Sequence, residues 1–389
     1  MSVTAPAGFV AAGIACGIKE SGAPDLALVA TADGRPGVSA AVFTSNRATA
    51  APVMVSRRHL AATGGRAAAV VLNSGNANAA TGASGVGHAE QTCRLVAEGL
   101  GCEPAEVLVC STGLIGIPLP FAAIERGVPG LVDARHAGPD AGREAATAIM
   151  TTDTHAKQVV RTVGGVTIGG MAKGAAMLAP NMATMLAVLT TDADLSGPDL
   201  QVHLAAAVRT SFNALSVDGC TSTNDTVIVV SSGLAGVPDR LGFADALASA
   251  CADLAGQMAG DAEGASKVIT VRVTGAADDA DAAKAARKVA QSSLVKCSFY
   301  GEDPYWGRIV SELGSSGAAF ELDRVAVAYG GVVVARRGEP FEHDDAAVAA
   351  HLAGRKVELT ADLGLGSGSA VILTNDLTPD YIAENMRTS

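Results

Sequence analysis

The pattern of apolar and polar positions along this chain shows two periods, and they predict two kinds of element. Short apolar runs bounded by turn formers predict strands at 26–30, 39–43, 67–72, 106–110, 227–230 and 267–273. Asp33, Gly34, Pro36 and Gly37 mark a turn between the first two runs. Helical spacing predicts helices over 87–101, 142–150, 199–212, 243–258 and 279–291, with Ser196 placed to cap the third. Gly164 and Gly165 sit between two β-branched runs and predict a hairpin that leads toward 173. Hairpins mixed with helices and short crossovers favour an α+β arrangement in layers over a doubly wound sheet.

Two strands empty into uncharged polar loops: 67–72 into Asn73, Ser74, Gly75 and Asn76, and 106–110 into Ser111, Thr112 and Gly113. A third polar run, Thr221–Thr226, precedes the strand at 227–230. Buried strands that end in polar, glycine-containing turns suit a site, although each turn read alone is also an ordinary connection.

Composition narrows what the site does. The chain has 389 residues, 49% of them hydrophobic and 17% charged, which requires a large buried core and excludes disorder. A net charge of −11 argues against a nucleic-acid partner. The seven cysteines are scattered without metal-knuckle spacing, as expected of reduced cytoplasmic thiols. No apolar run of about 20 residues predicts a membrane span. No GxSxG, HExxH or phosphate-loop spacing is present, and the seven histidines do not cluster. Neither a metal nor a bound cofactor is expected.

The remaining chemistry points to Thr184. It stands between Ala183 and Met185, after Pro180 and Asn181, where a turn meets an apolar run. A threonine hydroxyl needs a base, and cutting the chain before Thr184 creates one, because the freed α-amine has an ordinary pKa near 8. A threonine opening a strand is the alternative reading of the same position. Thr112 and Gly113 are suitable donors to an oxyanion, and Lys173 in apolar surroundings suits a carboxylate. Glu263, between residues of a helix end, suits an ammonium.

Taken together these stretches resemble the ornithine acetyltransferase (glutamate N-acetyltransferase) family of arginine biosynthesis. The resemblance rests on Lys173-Gly174, Pro180-Asn181-Met182-Ala183-Thr184-Met185-Leu186, Ser111–Gly116, Met150–Thr154, Asn73–Asn78, Asp218–Thr226 and Gly301–Arg308, and it runs from Ala12–Lys19 to the C-terminus. It implies the layered αββα-type sandwich of the ornithine acetyltransferase/DmpA-like fold, with a smaller C-terminal α/β region within about 265–375. It also implies self-cleavage between Ala183 and Thr184 into chains 1–183 and 184–389, assembled as an α2β2 heterotetramer in the cytoplasm. The implied reaction moves acetyl from N2-acetyl-L-ornithine to L-glutamate through acetyl-threonine. Acetyl-CoA is left open as a co-substrate. By motif position Thr184 is the nucleophile, and Thr112 and Gly113 form the oxyanion hole. Thr154, Lys173, Thr184, Glu263, Asn385 and Ser389 bind substrate. The tail from Glu384 to Ser389 departs from the family's usual ending, and Ala179 and Tyr305 replace its usual residues. A threonine amidohydrolase or aminopeptidase, or a specialised acyltransferase on the same fold, is the competing reading.

Overall fold

The computed structural model describes residues 2–176 and 185–386. They form two compact units, one from residues up to 213 with 220–258, the other from 214–219 with the chain from Ala259 on.

The first unit is built on two sheets. A four-stranded sheet has the order Phe9–Ile14, Leu26–Thr31, Ala69–Asn76, Val107–Leu114. A six-stranded sheet has the order Arg66–Ala67, Gly37–Phe43, Thr226–Gly236, Leu186–Ala193, Val166–Lys173, Lys157–Val163. Because strand side chains alternate between faces, each strand of the smaller sheet serves two cores. Leu26, Leu28, Val71, Val107 and Val109 pack on helices Gly82–Leu100 and Phe121–Asp133 through Cys93, Val96, Ile124 and Leu131. Their neighbours Ala27, Val29, Val70, Leu72, Leu108 and Cys110 point the other way, onto Met171, Leu186, Val188, Ile228 and Val230 of the larger sheet.

The far face of the larger sheet lies under helices Gly197–Thr210 and Arg240–Gly260, where Leu200, Leu204, Leu247, Cys251 and Leu254 are buried. Gly170 lies against both Leu189 and Leu254, so sheet and helix approach closely there. The layers run helix, sheet, sheet, helix, as the αββα expectation has it. Each fully buried leucine or valine contributes about 1.5–3 kcal/mol by leaving water.

The second unit holds a seven-stranded sheet, order Leu215–Ser216, Gly368–Asn375, Val268–Ala276, Lys356–Asp362, Ala326–Tyr329, Val332–Arg336, Glu339–Pro340. Helix Asp279–Gln291 lays Ala282, Ala286 and Val289 on Val271 and Val273, and Asp278 caps it through the Asp281 N–H. Lys296 is buried and donates to Val217 O (2.6 Å), Asn375 O (2.5 Å) and Thr374 Oγ1 (3.2 Å). Burial pulls its ammonium down to about 8, while Asp218 and Asp376 oppose the shift. No helix among the described residues is long and apolar enough to cross a membrane.

Candidate active site

The two polar segments that the sequence presents as loops are strand in the structure. Ala69–Asn76 and Val107–Leu114 run parallel with Asn73 opposite Ser111, Ser74 opposite Thr112 and Gly75 opposite Gly113. The polar residues extend the buried strands by pairing with one another, and hydrogen bonding carries the pairing where hydrophobicity stops. Ser111 Oγ donates to Asn73 Oδ1 (2.6 Å), and Asn73 Nδ2 donates to Asn76 O (2.8 Å). Gly113 has φ +130°. A Cβ there would stand 2.3 Å from the Gly75 carbonyl carbon and 2.5 Å from the Asn76 nitrogen, so only glycine fits.

Lys173 ends the Val166–Lys173 strand and is buried. Its Nζ donates to Thr112 Oγ1 (3.3 Å) and lies 4.0 Å from Asp153 Oδ2. Thr112 accepts this bond and keeps its own hydroxyl hydrogen for another acceptor. Asp153 is the anchor of the cluster. Its Oδ1 takes Lys157 Nζ (2.6 Å) and Gly174 N (2.7 Å), and its Oδ2 takes Thr151 N (3.0 Å). Burial on its own would raise this carboxyl; the ammonium groups of Lys173 and Lys157 and the Gly174 N–H outweigh it and hold the pKa at about 2.

The N-terminal segment adds another cation. The Asp25 carboxylate accepts the N–H groups of Cys16, Gly17, Ile18 and Lys19. That nest fixes Lys19, whose Nζ donates to Pro24 O and Met150 O, both at 2.8 Å. Burial lowers the Lys19 ammonium, with Asp25 and Asp153 opposing and Lys173 assisting.

The third polar run closes on the same place. Asn224 Nδ2 donates to Ala77 O (2.6 Å) and to Ser111 O (2.9 Å), joining the Thr226–Gly236 strand to the residue just before Thr112. Next to it, Asp225 Oδ1 accepts the Met185 N–H at 3.0 Å, and Thr226 N donates to Met185 O at 3.2 Å. Met185, the residue bonded to Thr184, is therefore held on both its backbone polar groups. Burial pushes the Asp225 carboxyl well above the usual carboxylate range, against smaller lowering influences from the Met185 N–H, Ser222 and Lys173.

Thr112, Gly113 and Lys173 thus come together. Thr154 follows Asp153 directly and is exposed, its Oγ1 3.2 Å from His155 Nδ1. In the second unit Glu263 Oε2 accepts Asn385 Nδ2 at 2.9 Å. Two contacts fix that pair. Thr378 Oγ1 donates to Gly264 O (2.6 Å), and Gly264, φ +61°, has no room for a Cβ against Tyr381 N. Ala183, Thr184 and Ser389 lie outside the described residues. Sequence reasoning gave no role to Asp153, Asn224, Asp225, Lys157 or Lys19, although Met150–Thr154, Asp218–Thr226 and Ala12–Lys19 were among its motifs. Among the described residues no three His, Cys, Asp or Glu side chains are placed to hold a metal. A cleft of about 490 Å³ between residues 31–38 and 231–234 shares no residue with this cluster.

The sequence matches the ArgJ family over residues 10–388. It is 50% identical over 390 residues to the arginine biosynthesis bifunctional protein ArgJ of Streptomyces avermitilis, covering 99% of each chain. To the ArgJ protein of Symbiobacterium thermophilum it is 47% identical over 396 residues, covering 98% of this chain and 97% of that one. A crystal structure of ArgJ from Bacillus halodurans is 40% identical, with a TM-score of 0.49, and covers 50% of this chain and 95% of the solved chain. With a match that takes in nearly every residue and the motif segments gathered around Lys173, the chain belongs to the ArgJ family.

Proposed function

We propose that this acyltransferase moves the acetyl group of N2-acetyl-L-ornithine to L-glutamate through an ester on Thr184. The observation that carries the reading is the Lys173–Thr112–Gly113 cluster, set beside a clamped Met185. The Thr184 hydroxyl adds to the acetyl carbonyl, the C–N bond to ornithine breaks, and the departing nitrogen takes the proton. The α-amine of glutamate then attacks the ester, the C–O bond breaks, and the threonine hydroxyl is restored. The Thr112 hydroxyl and the Gly113 N–H stabilise the oxyanion in both halves. Lys173 binds a carboxylate, with Thr154 beside it. Glu263, Asn385 and Ser389 serve the substrate's other end, the carboxylate of Glu263 meeting an ammonium.

The nucleophile arises by the same chemistry within the chain. The Thr184 hydroxyl attacks the Ala183 carbonyl, the acyl group shifts from nitrogen to oxygen, and water releases it. The two products assemble as an α2β2 heterotetramer in the cytoplasm. The enzyme needs no cofactor, and acetyl-CoA serves as a second acetyl donor to glutamate, in line with the word bifunctional in its relatives' names.

An intact mass spectrum tests the core of this reading. Wild type gives fragments of 183 and 206 residues (389 − 183 = 206), and Thr184→Ala gives one inactive chain. A Thr184→Ala protein that still splits or turns over refutes it. Ornithine release at the same rate with and without glutamate identifies a hydrolase instead, and glutamate acetylation by acetyl-CoA tests the second donor.

A further inference from the structure

Lys19 is half-buried, yet it is fixed at both ends. The Asp25 carboxylate accepts its backbone N–H together with those of Cys16, Gly17 and Ile18. Its Nζ donates to Pro24 O and Met150 O, both at 2.8 Å. The stem in between lies on Gly75, φ +96°, where a Cβ would stand 3.1 Å from Lys19 Cγ and 3.1 Å from Ile18 Cγ2. Gly75 is the strand partner of Gly113, so the lysine rests on the strand pair that carries Thr112 and Gly113. An ammonium has three hydrogens to donate. Two are taken by the carbonyls, and the third has no partner among the described residues.

The surrounding charges narrow what that hydrogen is for. Lys157 is closed off against Asp153 at 2.6 Å, with no exposed surface on either side chain. Asp25 is taken up by its four N–H groups. Burial lowers the Lys19 ammonium and the Lys173 charge adds to that, while Asp25 and Asp153 favour the charged form. An anion brought to Lys19 strengthens the same opposition. Two ammonium groups, Lys173 and Lys19, therefore serve one end of the paired strands, each offering donors and no acceptor.

We propose that Lys19 is a specificity-determining residue of the acyl transfer, its third hydrogen donated to the side-chain carboxylate of the acceptor amino acid. The inference rests on the reading of the protein as a transferase from N2-acetyl-L-ornithine to L-glutamate. Donor and acceptor both carry an α-carboxylate, which Lys173 serves in both halves of the reaction. They differ at the other end, where ornithine has an ammonium and glutamate a carboxylate. Glu263, an anion, suits the first and repels the second. A second cation supplies what the acceptor needs. It also repels the ornithine ammonium, so the departed product competes poorly with glutamate for the acetyl-enzyme.

The test compares L-glutamate with L-glutamine as acetyl acceptors in the full-length enzyme, with N2-acetyl-L-ornithine as donor. Glutamine has the same α-carboxylate and nearly the same shape, and lacks only the side-chain charge. Wild type favours glutamate by about a hundredfold in kcat/KM, and Lys19→Gln lowers that ratio by about tenfold or more. Lys19→Gln keeps a donor for the two carbonyls, so its thermal unfolding stays within a few degrees of wild type. Lys19→Arg keeps the charge and retains a clear preference for glutamate. A merely structural role would slow both acceptors in the same proportion and leave the ratio where it was. Wild type that uses glutamine as well as glutamate overturns the proposal without any variant. So does Lys19→Gln with the wild-type ratio, or a folded Lys19→Arg that prefers glutamate no more than Lys19→Gln does. In each of these cases the transfer from acetylornithine still stands. Ornithine release at the same rate with and without either acceptor overturns the transferase reading, and this inference with it.

Discussion

Two buried aspartates both feel the Lys173 ammonium, and their surroundings drive them in opposite directions. Asp153 has an ammonium at 2.6 Å, a second at 4.0 Å, and two backbone N–H donors, and it stays ionised down to a pH of about 2. Asp225 has one backbone donor, the Ser222 hydroxyl and no ion pair among the described residues, and burial keeps it protonated well beyond the ordinary range. Depth is nearly the same for both, with no side-chain surface at Asp153 and no exposure at Asp225. What differs is the number of donors. Sites that place one ionised and one neutral carboxyl within reach of the same reaction can hold a cation with the first and handle a neutral donor or acceptor with the second. Here Asp153 fixes the charge of the lysine pocket, and Asp225 addresses the backbone of Met185.

The comparison breaks most visibly at Asp153. Asp153→Asn removes the counter-charge of Lys157, which has no exposed surface, and should cost about 3–5 kcal/mol by urea unfolding. An unchanged unfolding midpoint would show that the pair carries no weight. Next in size, Thr112→Val keeps the strand's shape but removes the hydroxyl that accepts Lys173 Nζ and, in the proposed reaction, donates to the oxyanion. A loss of about a hundredfold in kcat, some 3 kcal/mol, with little change in melting temperature is expected. A valine variant with wild-type kcat would remove Thr112 from the oxyanion site.

Acid titration separates the two carboxyls by sign. The folded pKa of Asp153 is depressed, so its contribution of about 2 kcal/mol is present above pH 4 and disappears as pH falls toward 2. Asp225 is raised, so its protonated form favours folding at low pH, and that contribution is lost as pH climbs above the ordinary value of 3.8 through the folded value. Wild type should therefore lose stability relative to Asp153→Asn as pH drops below 4, and relative to Asp225→Asn as pH rises from 4. Parallel curves for wild type and either variant would contradict the assignment. The smallest effect is below pH 3.8, where Asp225 is neutral like the asparagine that replaces it and Asp225→Asn should change stability by less than about 1 kcal/mol, because asparagine still accepts the Met185 N–H.

The layers were legible in the hydrophobic pattern because strand and helix periods are properties of consecutive residues. Helix Asp279–Gln291 lies where its spacing and the preceding Asp278 place it, and the Gly164–Gly165 hairpin forms as its turn chemistry requires. The site was legible in residue type but not in arrangement. Ser111, Thr112 and Gly113 look like a loop because they are polar, yet they continue a strand because Asn73–Gly75 pairs with them across 38 residues. Lys173 carries no local sign that it will be buried 4.0 Å from Asp153, and the 153–157 spacing suggests a helical pair although Lys157 begins a strand. Asp225 sits in a polar run that reads as solvent-facing. Only its tertiary environment shows that it is enclosed.

The double hydrogen bond of Asn224 has a consequence for timing. It ties together residues 147 and 113 positions apart, so the wall beside Thr112 exists only after the last strand of the larger sheet has reached the last two strands of the smaller one. A chain still emerging from the ribosome, or one trapped with its sheets unpaired, has no such wall and should remain whole. Under the proposed cleavage before Thr184, the ratio of cut to uncut protein in a preparation works as an internal clock of maturation. It reports how much of the sample has closed its sandwich, with no probe added.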